Sequence, residues 1–183
     1  EVAGRVRVAA IYSVGLHHMS SYLQEFRAQH PKANVRLEYL HPERVLESVE
    51  NGEADLGIVS YPRSTRLLEA EPWRDEPMVV VCAPSHSLAG ADEAPLEALA
   101  GLPLVGFDTD LVIRHEIDRV LDSQGVEVDV VMEFDNIETI KRAIEIDAGI
   151  AILPEPTVLR EVAAGSLARV KIADSEAARL LVR

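Results

Sequence analysis

The order strand, helix, strand, helix, strand occurs twice in this chain, and that repetition restricts its possible folds more than any other feature. In the first copy Val6, Val8 and Ala10 alternate with Arg5 and Arg7, the period of a strand with one buried face. Tyr12-Ser13-Val14-Gly15 ends it, and Ser13 predicts an N-cap for a helix reaching about His30. Leu16, Met19, Leu23 and Phe26 form the apolar stripe of that helix, and Pro31 closes it. Val35, Leu37 and Tyr39 alternate with Arg36 and Glu38 in a second strand. Pro42 suits the first turn of the next helix, where Val45, Leu46 and Val49 face inward and Gly52 marks the end. Leu56-Gly57-Ile58-Val59 predicts a short buried strand, left through Ser60-Tyr61-Pro62.

The second copy opens with Leu104-Val105-Gly106-Phe107. Ile113, Ile117, Val120 and Leu121 then predict a helix stopping near Gly125. Val128, Val130 and Met132, alternating with Asp129, Val131 and Glu133, predict a strand with both faces partly apolar. Asn136 caps a helix carrying Ile137, Ile140, Ala143 and Ile144, and Gly149 ends it. Ile150-Ala151-Ile152-Leu153 is a buried strand stopped by Pro154, and Pro156–Ala164 is a helix with Gly165 as its C-cap.

Between the copies lie two extended segments, near Leu67–Trp73 and Met78–Ala83. The run Val79-Val80-Val81 marks a strand buried on both faces. Pro84 to Ser87 is a connection, and Leu96–Ala100 a short helix. Leu167–Ile172 and Ala177–Val182 are extended ends. Alternating strands and helices predict parallel sheets, hence an α/β protein of two Rossmann-like lobes with a central cleft. Residues 1–83 with 166–183 make lobe I, and residues 84–165 make lobe II. Ligands of such sheets sit beyond the carboxyl ends of the strands, with hinge strands at the base of the cleft.

Composition narrows the function. With 48% hydrophobic residues but only 4% aromatic, the core must be built of Val, Leu, Ile and Ala. No apolar run approaches the roughly 20 residues of a membrane span. The start, Glu1-Val2-Ala3-Gly4-Arg5, lacks the basic and apolar regions of a signal peptide. The single cysteine, Cys82, rules out an internal disulfide and fits a reducing cytoplasm. Its apolar strand makes it a core residue rather than a redox sensor. A net charge of −13 repels phosphates, so this segment is not expected to bind DNA by itself. The motifs G-x-S-x-G, G-x-x-x-x-G-K and G-x-G-x-x-G are missing, and no nucleophile has an adjacent base, which argues against an enzyme. His17 and His18 are neighbours on a helix and point to different faces, so neither a metal nor another cofactor is expected.

Three blocks then resemble a known family. The opening strand from Gly4 to Ala10 leads into a helix ending in Phe26-Arg27-Ala28-Gln29-His30-Pro31, similar to the F-x-x-x-x-P of LysR-type effector domains. Val45 to Ile58, with Gly52-Glu53-Ala54-Asp55-Leu56, looks like the L-x-x-G-x-x-D-hydrophobic block of that family. Ala148-Gly149-Ile150-Ala151-Ile152-Leu153-Pro154 resembles its G-x-G-hydrophobic-x-x-L-P ending, with Asp147-Ala148 where a second Gly is common. The blocks occur in the family's order over nearly the whole chain. The resemblance implies a type 2 periplasmic-binding-protein-like fold and a cytoplasmic transcription regulator. In such a regulator an N-terminal winged helix-turn-helix, absent from these residues, carries DNA binding. It also implies a homodimer or higher oligomer, for which the helices at Leu16–His30 and Ile113–Gln124 are the candidate contacts.

The expected ligand residues follow from the strand ends. Ser13 and Val14 begin the first helix and His17 lies one turn inside it; Ser60, Tyr61 and Pro62 follow the third strand. Phe107, with Asp108 and Thr109, follows the first strand of the second copy; Asn136 and Ile137 open its second helix; Pro154 ends its last strand. Ser13 reads either as a plain cap or as a ligand contact. The family resemblance favours contact, since a Ser or Thr there typically touches the effector. Helix N-termini attract anions, while Glu138 in the same first turn opposes a strong one. Arg63, Arg66 and Arg114 would pair with a carboxylate or sulfate, and Asp108 and Glu155 with an amine. The ligand is therefore a small polar metabolite, either an anion or an amino-acid-like molecule. Two other readings share this fold: an extracytoplasmic solute-binding protein of a transporter, and an enzyme related to prephenate dehydratase.

Overall fold

The computed structural model describes residues 2–14, 19–62 and 64–173. The chain divides into two compact units, Glu1–Glu71 and Pro72–Arg183.

The first unit is built on a parallel sheet of β1 (Gly4–Ala10), β2 (Ala33–Tyr39) and β3 (Leu56–Ile58), in the order β2-β1-β3. Its helices are α1 (Tyr12–Val14), α2 (Ser20–Gln29) and α3 (Pro42–Glu50). The alternation in β1 separates two cores. Val8 and Val35 pack with Met19, Leu23 and Phe26 on one face, while Ala9 packs under Val45 of α3 on the other. Gly57 lets α3 lie close, because a Cβ there would meet Val49 and Val45 side chains at 3.0 and 3.1 Å. Asp55 ties the loop after α3 back to β1 by accepting from the Arg7 backbone N–H at 2.7 Å and from Nη2 at 2.8 Å.

Several expectations change here. The described helical turn α1 already includes Tyr12, so Ser13 lies inside it rather than before it. The N-cap position of α2 is Met19. Leu46 points outward at 41% exposure, since the buried stripe of α3 runs through Val45 and Ser48. Leu56 is 57% exposed, so β3 is not the buried strand its apolar residues suggest. The Leu67–Trp73 segment is not a strand. The Oγ1 of Thr65 accepts from the Leu67 and Leu68 N–H groups at 3.2 and 3.1 Å, which curls the chain into a turn. The Ala177–Val182 segment lies outside the described residues.

The second unit contains β4 (Met78–Cys82), β5 (Glu93–Ala94), β6 (Pro103–Phe107), β7 (Asp129–Phe134), β8 (Ala151–Pro154) and β9 (Ala168–Ile172). Helices α4 (Val112–Ser123), α5 (Ile137–Glu145) and α6 (Leu159–Ala164) accompany them. One sheet has the order β5-β9-β4-β8, and β6 pairs with β7. A parallel bridge from Leu104 to Ile150 connects the two: Val105 N–H donates to Ile150 O and Ile150 N–H to Pro103 O, both at 2.8 Å. Gly149 permits that approach, because a Cβ on it would lie 2.4 Å from the Pro103 carbonyl oxygen.

The Val79–Val81 run is buried on both faces as expected, but β4 runs antiparallel to both β8 and β9. A continuous apolar run reports burial and carries no information about direction. These pairings also put β4 and β9 in the second unit, whereas the sequence reading assigns them to lobe I. Leu96–Leu99 is a 3-10 turn, and a second one at Glu155–Thr157 precedes α6. Gly165 takes the left-handed C-cap of α6 at φ 74°.

Candidate functional site

In each unit the strands of a parallel group end level with one another. Ile11 N–H donates to Ile58 O at 3.1 Å and Leu40 N–H to Ala10 O at 2.9 Å, so β1, β2 and β3 finish together. Ser13 and Val14 follow the end of β1, both half-buried. Beyond β3 come Ser60 and Tyr61, half-buried, and Pro62, exposed. Tyr61 adopts φ 53°, a left-handed conformation that costs a non-glycine residue about 1–3 kcal/mol and is concentrated at functional sites. Two aromatic residues not among the expected ligand contacts join this end: Tyr12 and Tyr39 have ring centroids 6.2 Å apart. Their signal was available, since each stands where an apolar alternation stops. His17 lies outside the described residues, as do Leu16, His18 and Arg63.

The second unit assembles a matching end. Phe107, the buried last residue of β6, pairs in register with Phe134 of β7. Asp108 N–H donates to Phe134 O at 3.0 Å, which brings Phe107, Asp108 and Asn136 to the same end. Asn136 caps α5 as predicted: its Oδ1 accepts from Thr139 N–H at 3.0 Å and from Thr139 Oγ1 at 2.9 Å. Its Nδ2 donates to Asp135 Oδ1 at 2.9 Å. Ile137 is buried in the core. Pro154 closes β8, also buried, and its carbonyl accepts from Thr157 Oγ1 at 2.6 Å.

The charged residues divide differently from expectation. Arg114 is not available to a ligand carboxylate. It is buried and donates to Phe107 O at 2.7 Å, to Asp118 at 2.9 Å and to Glu133. Burial works against its charge, but bonds to Glu133 and Asp118 outweigh that and hold its pKa above the ordinary guanidinium value. Glu155 is likewise engaged, in an ion pair with Arg169. Arg66 is exposed. Lys141, which the sequence reading passed over, is buried. Its Nζ meets Glu161 at 2.7 Å, Glu138 at 2.8 Å and Thr157 O at 3.0 Å. Cys82 is a core residue whose thiol burial, aided by the Asp147 charge, pushes up to about 11.

Comparison with known proteins adds to this geometry. The family model described as LysR substrate binding domain matches residues 1–182. The chain is 30% identical over 154 residues to an uncharacterized HTH-type transcriptional regulator, YfeR, of Shigella flexneri, covering 84% of this chain and 50% of that protein. It is 26% identical over 184 residues to a probable RuBisCO transcriptional regulator of Cyanophora paradoxa, covering 97% and 57%. The chain thus spans about half the length of the curated relatives it matches. Among solved structures, the regulatory domain of Synechocystis PCC6803 CcmR in complex with 2-PG matches with a TM-score of 0.82 at 30% identity, covering 93% of this chain and 81% of that one. The effector binding domain of QuiR in complex with shikimate matches with a TM-score of 0.83 at 22% identity, covering 94% and 82%, a likeness of fold.

Proposed function

Because the chain belongs to the LysR substrate binding domain family, we propose that it is the effector-sensing part of a LysR-type transcription regulator. The observation that carries this reading is the family match along residues 1–182. The signal is a small polar metabolite, an anion or an amino-acid-like molecule. The candidate contacts are the strand-end residues of each unit taken by itself: Ser13, Ser60 and Tyr61 in the first unit, and Phe107, Asn136 and Pro154 in the second. Polar groups at strand ends, set among buried apolar residues, are what a pocket for a small ligand requires. The CcmR domain holding 2-PG supports a ligand-binding role, and its identity of 30% supports kinship beyond fold.

In this reading the protein is not an enzyme, acts in the cytoplasm as a homodimer or higher oligomer, and reaches DNA through a helix-turn-helix domain of the kind the relatives' names record. No helix among the described residues is long and apolar enough to cross a membrane. The transporter solute-binding alternative is not favoured, since the curated relatives named above are transcription regulators.

A metabolite screen by thermal shift, followed by calorimetry, tests the assignment. Losing one hydrogen bond to a charged group costs roughly 1.5–3 kcal/mol, so Ser13→Ala should weaken effector binding by about ten- to a hundredfold. A hit that binds wild type and Ser13→Ala equally removes Ser13 from the site. A hit that binds both Ser13→Ala and Asn136→Ala as tightly as wild type removes the strand-end assignment altogether.

A further inference from the structure

The proposed effector contacts of the second unit stand on the ends of β6 and β7, and one side chain outside that set is bonded to both ends. Arg114, in the first turn of α4, is 8% exposed. Its Nη1 donates to the carbonyl of Phe107, the last residue of β6, and to Glu133, one residue before the end of β7. Its Nε donates to both oxygens of Asp118, one turn further along α4, at 2.9 Å. Glu133 lies opposite Gly106 in the β6-β7 register, and Gly106 leaves room for the guanidinium. A Cβ at Gly106 would stand 3.4 Å from Nη1. Burying a guanidinium is costly unless it is partnered, and its planar fork bonds several acceptors at fixed angles in a way an ammonium cannot. The cation is thus kept where it joins three chain segments.

The joined segments bear directly on the site. The Asp108 N–H bond to Phe134 O closes the β6-β7 pair at its carboxyl end. Asn136 follows two residues later, and its Oδ1 holds the Thr139 N–H at 3.0 Å. We propose that Arg114 is a positioning residue that clasps the ends of β6 and β7 to α4 and so presets Phe107 and Asn136. The proposal rests on reading those two residues as effector contacts. A site held in its binding geometry avoids the ordering cost otherwise charged to affinity.

The test is amide hydrogen exchange by NMR on the whole chain without ligand, in wild type, Arg114→Lys and Glu133→Gln. Three amides report: Asp108, bonded to Phe134 O; Thr139, bonded to Asn136; and Val105, bonded to Ile150 O deeper in the unit. In Arg114→Lys, Asp108 and Thr139 should exchange about tenfold faster or more while Val105 changes less than about twofold, the mark of local opening. Glu133→Gln should give the same pattern with smaller amplitude, and it decides the matter alone if Arg114→Lys fails to fold. Equal acceleration of all three amides would reduce Arg114 to a general stabiliser, and unchanged Asp108 and Thr139 would remove the clasp. No ligand is involved, so a failed effector screen leaves this result standing, while the calorimetry on Ser13→Ala and Asn136→Ala judges the effector assignment.

Discussion

Replacing Lys141 by Met isolates the worth of a buried ion. The Lys141 side chain is 3% exposed and that of Glu161 is 15%, with Nζ and Oε1 2.7 Å apart. The Nζ also donates to Thr157 O at 3.0 Å, tying α5 to the turn that follows β8. Glu138, 42% exposed, contributes little because water screens it. Met preserves most of the apolar stem, so the loss is that of the ammonium. Removing one partner of a buried pair leaves the other charge uncompensated and costs about 3–5 kcal/mol. The partial exposure of Glu161 places this case near the lower end, about 3 kcal/mol. In a domain of this size that is a fall in Tm of roughly 10 °C. Urea melts of wild type, Lys141→Met, Glu161→Gln and the double variant close a thermodynamic cycle. The double variant should recover most of the loss, since it leaves no buried charge behind. A cost below about 1 kcal/mol for Lys141→Met, or a double variant as unstable as the single, would refute the reasoning.

Three further outcomes follow from the geometry. Asp55 is held below the usual carboxylate range chiefly by the Arg7 side-chain hydrogen bond, so its stabilisation is present at neutral pH and disappears as pH falls through its lowered folded-state pKa. The Tm gap between wild type and Asp55→Asn should therefore close in acid, below about pH 4, and a gap independent of pH would count against the pairing. Gly149→Ala pushes a Cβ to 2.4 Å from Pro103 O and should destabilise by about 3 kcal/mol in denaturant melts; a change under about 1 kcal/mol would mean that the Leu104–Ile150 bridge yields freely. Cys82, with its thiol pushed up to about 11 and buried, should resist thiol reagents at pH 8 in the native protein and react once denatured. Rapid native labelling would show that β4 opens.

Local signals were legible wherever a few neighbouring residues decide the outcome. The alternation in Val6–Ala10 and Val35–Tyr39 named both strands, although Ala9 is buried too and β1 has a core on each face. Asn136 and Gly165 announced their caps, because capping depends on a side chain or a φ angle within one turn of chain. The expected effector residues were placed at strand ends by the same reasoning, and Ser60, Tyr61 and Asn136 do follow the ends of β3 and β7. Arg114 was misread as a free cation although the sequence held a warning. Its spacing from Leu111, Ile117 and Leu121 puts it on the buried stripe of α4, and a cation on that stripe must find partners inside.

What the sequence by itself determined was therefore the identity of most elements, many of their buried positions and the family, all properties of periods, caps and short motifs. Only the tertiary structure decided which strands meet and which charges are spent. The antiparallel direction of β4 depends on β8 and β9, some seventy and ninety residues away. The fate of Arg114 depends on Phe107 and Glu133, and that of Lys141 on Thr157 and Glu161. Periodicity specifies how buried a residue will be. It does not specify which distant carbonyl or carboxylate will meet it, because that choice is made by packing whole elements at once, under the requirement that every buried polar group find a partner.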